Sequence, residues 1–374
     1  MYFRQIIGQE EAKRRLIREA NEGRIAHARL FGGSEGVGKL PLAIAYARYL
    51  LCQHPTDEDA CGQCPNCIKI DKLAHPDLHF VFPVVKKKGG KDTVSDDYLT
   101  QWRNLLLQTP YFNLPIWLQE MEAENQQAQI FVKEASEILR KLSLKSSQGG
   151  RKVMIIWLPE KMNTECANKL LKLLEEPPEE TVFLLVSEAP DLLLPTILSR
   201  TQRFELKAID EDKVKEHLIA HYGLQPTDAA DIARRSEGNW LKALEAIHLS
   251  EENKRFFELF VYLMRLAYQR KLKDLRQWSE TVAALGRERQ KHFLIYCQRM
   301  VRENFMTNFH NLDLVRLNTE EQQFAVRFAP FINERNIFGI MDELSEAQRH
   351  IEQNVNARMV FFDFTLKIIM LLKN

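Results

Sequence analysis

Apolar residues fall into two different rhythms along this chain. From residue 1 to about 206, apolar runs of β type alternate with helical stretches. Ala28-Arg29-Leu30-Phe31-Gly32, Lys152-Val153-Met154-Ile155-Ile156 and Val182-Phe183-Leu184-Leu185-Val186 read as strands. Leu42 to Leu51 and Lys133 to Leu142 read as helices. That alternation predicts an α/β domain with a parallel sheet. From 207 to about 248 the strand pattern stops, and Asp212 to Leu218 and Asp228 to Arg235 carry helical spacing, the size of a small all-α lid. From about 249 to 374 apolar residues recur at the helix period. Phe256, Phe257, Leu259, Phe260 and Leu263 form one face, and Ile337, Met341, Leu344 and Ile351 another. Met359 to Leu372 reads as a last helix. A length of 374 residues, 45% of them hydrophobic, suits two or three packed domains.

The turn after the first strand adds chemistry to this outline. Gly33-Ser34-Glu35-Gly36-Val37-Gly38-Lys39-Leu40 follows the phosphate-loop pattern G-x-x-x-x-G-K up to its last position, which should be Ser or Thr. In such a loop, backbone N–H groups at a helix N-terminus cradle phosphate, Lys reaches the outer oxygens, and the hydroxyl holds Mg²⁺. Gly33, Gly36, Gly38 and Lys39 are therefore candidate nucleotide-binding residues. Leu40 offers no oxygen to a hard cation. A hydrolytic site also needs an acid at the end of a neighbouring strand. After Lys152–Ile156 the acid positions hold Trp157 and Leu158, and Glu160, beyond Pro159, is expected to point elsewhere. Two losses in one site predict a loop that does not hydrolyse ATP. Whether it still takes ATP or ADP is left open by the residues.

Six cysteines are present. Four lie as Cys52-x8-Cys61-x2-Cys64-x2-Cys67, with Gly62 and Pro65 supplying tight turns. Two-residue gaps let thiolates converge on one tetrahedral Zn²⁺ at about 2.3 Å each, and four Cys leave no open position, so such a site is structural. An iron–sulfur cluster is the alternative for four Cys. Cys166 and Cys297 stand alone and read as small buried hydrophobes. The first residues are charged and polar with no hydrophobic leader, which predicts a cytoplasmic protein with reduced thiols.

Several segments together resemble the AAA+ clamp-loader family of bacterial DNA replication. They are Ile7-Gly8-Gln9, His27 to Lys39, Asn168-Lys169-Leu170-Leu171-Lys172-Leu173-Leu174-Glu175-Glu176-Pro177-Pro178, and Pro195-Thr196-Ile197-Leu198-Ser199-Arg200-Thr201-Gln202-Arg203-Phe204. The last is similar to the family's Ser-Arg-Cys motif, with Thr201 in place of Cys. The resemblance implies an α/β P-loop AAA+ domain with a parallel sheet over 1–206, an all-α lid over 207–248 and an all-α C-terminal collar over 249–374. Ile7-Gly8-Gln9 would be the adenine-side entry segment. Arg200 would act in trans, as an arginine finger in the ATP site of a neighbouring subunit. Leu241 takes the place of the lid's sensor arginine, and Ser187 the place of the first sensor. A four-Cys zinc module with this spacing belongs to the same resemblance, and favours zinc over iron–sulfur at 52–67.

Residues 83 to 129, with Trp102, Trp117 and an acidic stretch from Glu120 to Glu124, depart from the family core and read as an insertion. The implied function is a non-hydrolysing stator of the DNA polymerase III clamp loader. Its partners would be motor ATPase subunits and delta in a five-subunit ring, with the sliding clamp and primed DNA reached through the complex. An active motor of the same loader is the rival, and it needs the metal site that Leu40 and Trp157 lack. A zinc-dependent nucleic-acid reader is disfavoured by Asp57, Glu58 and Asp59 beside the cysteines and by a net charge of +1. The run Lys86 to Lys91 reads as a solvated loop. No apolar stretch of about 20 residues predicts a membrane span.

Overall fold

The structure is a computed structural model, and it describes residues 1–86, 93–146, 150–308, 317 and 319–373. Lys87 to Lys91 of the basic run lie outside the described residues. Two compact units divide the chain, Met1–Ala246 and Ile247–Asn374.

The first unit is built on five parallel strands in the order β2-β3-β4-β1-β5. They are β1 (Ala28–Gly32), β2 (Leu78–Val81), β3 (Lys152–Trp157), β4 (Thr181–Val186) and β5 (Gln202–Glu205). Strand β1 pairs with β4 on one side, Leu30 opposite Leu185, and with β5 on the other, Leu30 opposite Arg203. β1, β3 and β4 are buried at every position, because helices cover both faces. Alternation along each strand divides the core in two. Phe31, Ile155, Trp157 and Leu184 face one helical layer, and Leu30, Met154, Ile156 and Phe183 the other.

Helices α1 (Glu10–Asn21) and α2 (Lys39–Leu51) belong to the first layer. α2 is buried along its whole length, and Pro41 is tolerated in its first turn, where N–H groups lack helical partners anyway. α3 (Pro65–Asp71) follows the cysteines. The expected insertion contributes α4 (Leu99–Gln108) and α5 (Leu114–Glu120) to the same layer, through Trp102 and Trp117. α6 (Val132–Ser143) and α7 (Thr164–Glu175) pack on the opposite face. Asn163 caps α7 by accepting the Cys166 N–H at 2.8 Å. After the short α8 (Pro195–Leu198) and β5, the chain forms α9 (Glu211–Tyr222) and α10 (Pro226–Ser236), so the stretch expected as a lid belongs, as far as Ala246, to this unit.

The second unit is all helical. It takes the later part of α11 (Trp240–Gln269), then α12 (Leu272–Ala283), α13 (Arg287–Thr307), α14 (Thr319–Phe328), α15 (Ile337–Glu352) and α16 (Ala357–Leu371). Its core includes Phe260, Leu263, Leu344 and Ile351 from the predicted stripes, and Cys297 from α13. Burying each such side chain contributes roughly 1.5–3 kcal/mol. Met341 and Leu259 are only partly buried at its edge.

Candidate functional site: glycine loop, arginine and cysteine cluster

The phosphate loop runs from the end of β1 into α2. Gly36 and Gly38 carry positive φ, 74° and 91°. Gly38 caps α2, and a Cβ there would stand 3.3 Å from the Tyr111 ring. A Cβ on Gly36 would fall 1.8 Å from Asn239 Oδ1, so glycine is the residue that lets the segment after α10 close over the loop. Trp240 N donates to Gly36 O at 3.1 Å, and Gln9 Nε2 donates to Val37 O at 3.1 Å. Gly33 accepts from Lys39 Nζ at 2.7 Å, and the same ammonium donates to Ser34 O. Lys39 is 5% exposed, and burial lowers its pKa against the pull of Glu188 and Glu160. Leu40 is buried in the core.

The two positions expected for acids, Trp157 and Leu158, are buried. Trp157 ends β3 with its ring centroid 5.2 Å from both Trp102 and Phe112. Leu158 is buried beside it. Glu160 departs from expectation. Its Oε1 accepts the N–H groups of Glu188 at 2.8 Å and Ala189 at 3.1 Å, and the side chain is near enough to raise the pKa of Lys39. Glu188, just past β4, is an acid that sequence reasoning missed. Burial pushes its pKa up to about 7, with Lys39 pulling the other way. Ser187 is wholly buried, and its N–H donates to Phe31 O at 3.0 Å. Leu241 is part-buried, and its N–H donates to Asn239 Oδ1 at 2.9 Å. The adjacent Lys242 pairs with Glu237 at 3.4 Å.

Arg200 stands in the turn after α8, away from this loop in sequence and held by its own chain. Nη1 donates to Thr196 O at 2.9 Å, and Nη2 meets Glu175 Oε1 at 2.5 Å. A third of its side-chain surface remains exposed. Thr201 Oγ1 donates to Leu198 O at 3.2 Å, closing the same turn.

The four cysteines converge. Every Sγ of Cys52, Cys61, Cys64 and Cys67 lies within 4.8 Å of the others, and Cys61 and Cys67 are 4.0 Å apart. Ligands at about 2.3 Å around a tetrahedral ion stand about 3.8 Å from one another, so the set fits a zinc-sized ion after small adjustment. Backbone N–H groups already point at sulfur, Cys61 N to Cys52 Sγ at 3.3 Å and Cys64 N to Cys61 Sγ at 3.4 Å. Amides of Gln63 and Cys64 lower the Cys61 thiol to about 6, while burial raises Cys52 and Cys67. The cluster also anchors the chain's start. Asp59 accepts from Phe3 N and Arg4 N, and Arg48, paired with Asp71 at 2.6 Å, sits 4.0 Å from the Tyr2 ring centroid.

A five-stranded parallel sheet in this order, a glycine loop entering a buried helix and a four-thiol cluster define a phosphate-loop α/β protein of the AAA+ type. The sequence profile of the family described as DNA polymerase III, delta subunit, matches residues 8–210, more than half of the chain. The chain belongs to that family.

Individual relatives agree. The chain is similar to DNA polymerase III subunit delta' of Pseudomonas aeruginosa, 35% identical over 47% of this chain and 41% of that protein. It is similar to the delta' subunit of Bacillus subtilis at 29% over 68% of this chain and 64% of that protein. It also matches DNA polymerase III subunit tau/gamma of Haemophilus influenzae at 31% over 58% of this chain and 25% of that protein. Matches to the Haemophilus and Pseudomonas relatives thus span between a quarter and about two fifths of those proteins' lengths. Among solved structures, a gamma subunit-related protein from Thermotoga maritima aligns over 97% of this chain and 99% of its own, at 17% identity and a TM-score of 0.37. Among the described residues no helix is long and apolar enough to cross a membrane.

Proposed function

We propose that this chain is a non-hydrolysing, delta-prime-like stator of the cytoplasmic DNA polymerase III clamp loader. In this reading residues 207–248 act as the lid and 249–374 as the collar that joins motor subunits and delta in a five-subunit ring. The ring loads the sliding clamp on primed DNA. Zn²⁺ on Cys52, Cys61, Cys64 and Cys67 is structural. Arg200 reaches a neighbour's ATP site, where a planar, always-charged guanidinium stabilises charge developing on the transferred phosphoryl.

The observation that carries the reading is the apolar pair Leu40 and Trp157 inside an otherwise retained loop. Leu40 offers no hydroxyl to Mg²⁺ and Trp157 no carboxylate, so in this reading a role in hydrolysis is exerted on another subunit. The part-exposed guanidinium of Arg200 at the end of a short helix supports that role.

The test is ATP turnover by a reconstituted loader with clamp and primed DNA. The expected result is no turnover by the chain alone and a marked fall on Arg200→Ala. Turnover by the chain alone would revive the motor reading. Indifference of the complex to Arg200→Ala would leave the chain a scaffold.

A further inference from the structure

In the helical unit a cavity of about 360 Å³ opens where two helices begin. Gly286 and Arg287, at the start of α13, form one wall, and Asn354, Asn356 and Arg358, around the start of α16, form another. The first hydrogen bond inside α13 runs from Gln290 N to Gly286 O at 2.9 Å, so the N–H groups of Arg287, Glu288 and Arg289 have no helical acceptor. Gly286, with φ 83°, has no side chain to take them. At the start of α16 the Arg358 N–H is already taken, by Asn356 Oδ1 at 3.0 Å.

Charge around the cavity is of one sign. Arg287 and Arg358 line it, and among the described residues no carboxylate does. The Arg287 guanidinium donates to the neutral Asn354 Oδ1. Glu288, in the first turn of α13, is exposed and pairs with Lys291 at 2.7 Å. Gln290 also lines the cavity and is 2% exposed. Its Nε2 donates to Ala283 O at 2.8 Å, which fixes the amide's orientation, and its Oε1 has no hydrogen-bond partner among the described residues. An unpaired buried acceptor is costly, and a ligand that brings a donor relieves it. Two guanidinium groups and free N–H groups at a helix start recognise an anion, while Gln290 Oε1 requires that the anion carry a proton. Orthophosphate near neutral pH meets both demands, because HPO4²⁻ has acceptor oxygens and an O–H. Sulfate has the same shape and charge but no O–H, and a phosphodiester has none either.

We propose that this cavity is an orthophosphate site. The anion accepts from the first turn of α13 and from the guanidinium groups of Arg287 and Arg358, and it donates its own O–H to Gln290 Oε1. Once bound, it ties the start of α13 to the start of α16. The site lies apart from the glycine loop in the chain and does not depend on the stator reading. Failure of that reading registers in loader turnover, whereas failure here registers in anion binding by the chain alone.

The experiment titrates the full chain with sodium phosphate and, separately, with sodium sulfate at matched ionic strength near neutral pH, and follows heat. The wild type is expected to bind phosphate with a Kd on the order of 1 mM and sulfate at least about fivefold more weakly. Arg358→Ala, at an exposed position, is expected to weaken both anions about tenfold. Gln290→Met keeps the bulk but not the acceptor, and is expected to bring the two anions within about twofold of each other. The proposal is overturned by an absence of saturable phosphate binding to the wild type up to about 20 mM. Sulfate binding as tight as phosphate, or a folded Gln290→Met that keeps the full preference, overturns it equally. So does a phosphate affinity unchanged in Arg358→Ala, because the anion then sits elsewhere, the glycine loop included. The wild-type ratio of phosphate to sulfate needs no variant and decides the matter even where Gln290→Met folds poorly.

Discussion

Arg200 and Glu175 meet at 2.5 Å, guanidinium Nη2 to carboxylate Oε1, joining the turn after α8 to the last residue of α7. The pair is part-exposed on both sides, so its contribution to folding is under about 1 kcal/mol. The same guanidinium has the carbonyl of Thr196 as its other anchor.

That geometry separates two variants. Arg200→Lys is expected to lower loader turnover nearly as far as Arg200→Ala, because one ammonium cannot replace a planar fork. Glu175→Ala is expected to keep kcat within about twofold of wild type, since in the stator reading a neighbour's phosphate would replace the counter-charge. A fall as deep as that of Arg200→Ala would mean that Glu175 holds the arginine in its working position.

The cysteine cluster predicts one zinc per chain, measurable by elemental analysis. Cys67→Ser removes a buried sulfur and is expected to cost more than about 2 kcal/mol, a drop of several degrees in melting temperature. The loosening should extend to the first residues, because Asp59, between Cys52 and Cys61, binds the N–H groups of Phe3 and Arg4. Hydrogen exchange at those two amides is the check.

Glu134 in α6 is 1% exposed and accepts the Ser95 N–H at 2.7 Å, yet burial raises its pKa to about 7, against the pull of Lys141. Below the unfolded value of 4.5 the carboxyl is neutral in both states and costs nothing. As pH climbs toward 7 the unfolded chain ionises first, so stability falls, and above 7 the penalty stays, on the order of 3 kcal/mol. Glu134→Gln is therefore expected to melt several degrees above wild type at pH 8 and close to it near pH 4.5. Equal shifts at both pH values would show that the carboxyl is not the source.

Restoring the missing metal groups is expected to fail. Leu40→Thr with Trp157→Asp supplies a hydroxyl and an acid, but Trp157 is packed at 5.2 Å against both Trp102 and Phe112. Cutting it to a carboxylate leaves a cavity and an unpaired buried charge, a loss of about 3–5 kcal/mol. The double variant should denature earlier in urea than wild type and show no ATP turnover; turnover would refute the account of the cleft.

The sequence was legible where the chemistry is local. β1, β3 and β4 are apolar runs between turns, and four cysteines two and eight residues apart declare a cluster before any fold is known. β2 and β5 escaped, the first because it is four residues long, the second because three of its four side chains are exposed and carry no apolar signal. α2 begins three residues earlier than its apolar run, since Lys39, Leu40 and Pro41 are buried by the loop's own folding. α11 runs unbroken from Trp240 to Gln269, so the boundary between the units, after Ala246 and close to the expected 248, falls inside a helix and has no loop to mark it. Glu188 had a weak local signal, an acid directly after a strand. Tyr111, whose ring meets Gly38, had none, because that contact joins positions more than 70 apart.

Trp157 carries a consequence for descent. In an ordinary degenerate site, a single codon change can in principle return the lost acid and be tested by selection. Here the vacated position has been roofed by Trp102 and Phe112, which belong to the segment that also brings Tyr111. A reversion at 157 alone meets a folding defect before it meets any benefit. The aromatic nest thus couples position 157 to its neighbours: an acid there would need compensating changes at Trp102 and Phe112 to be tolerated.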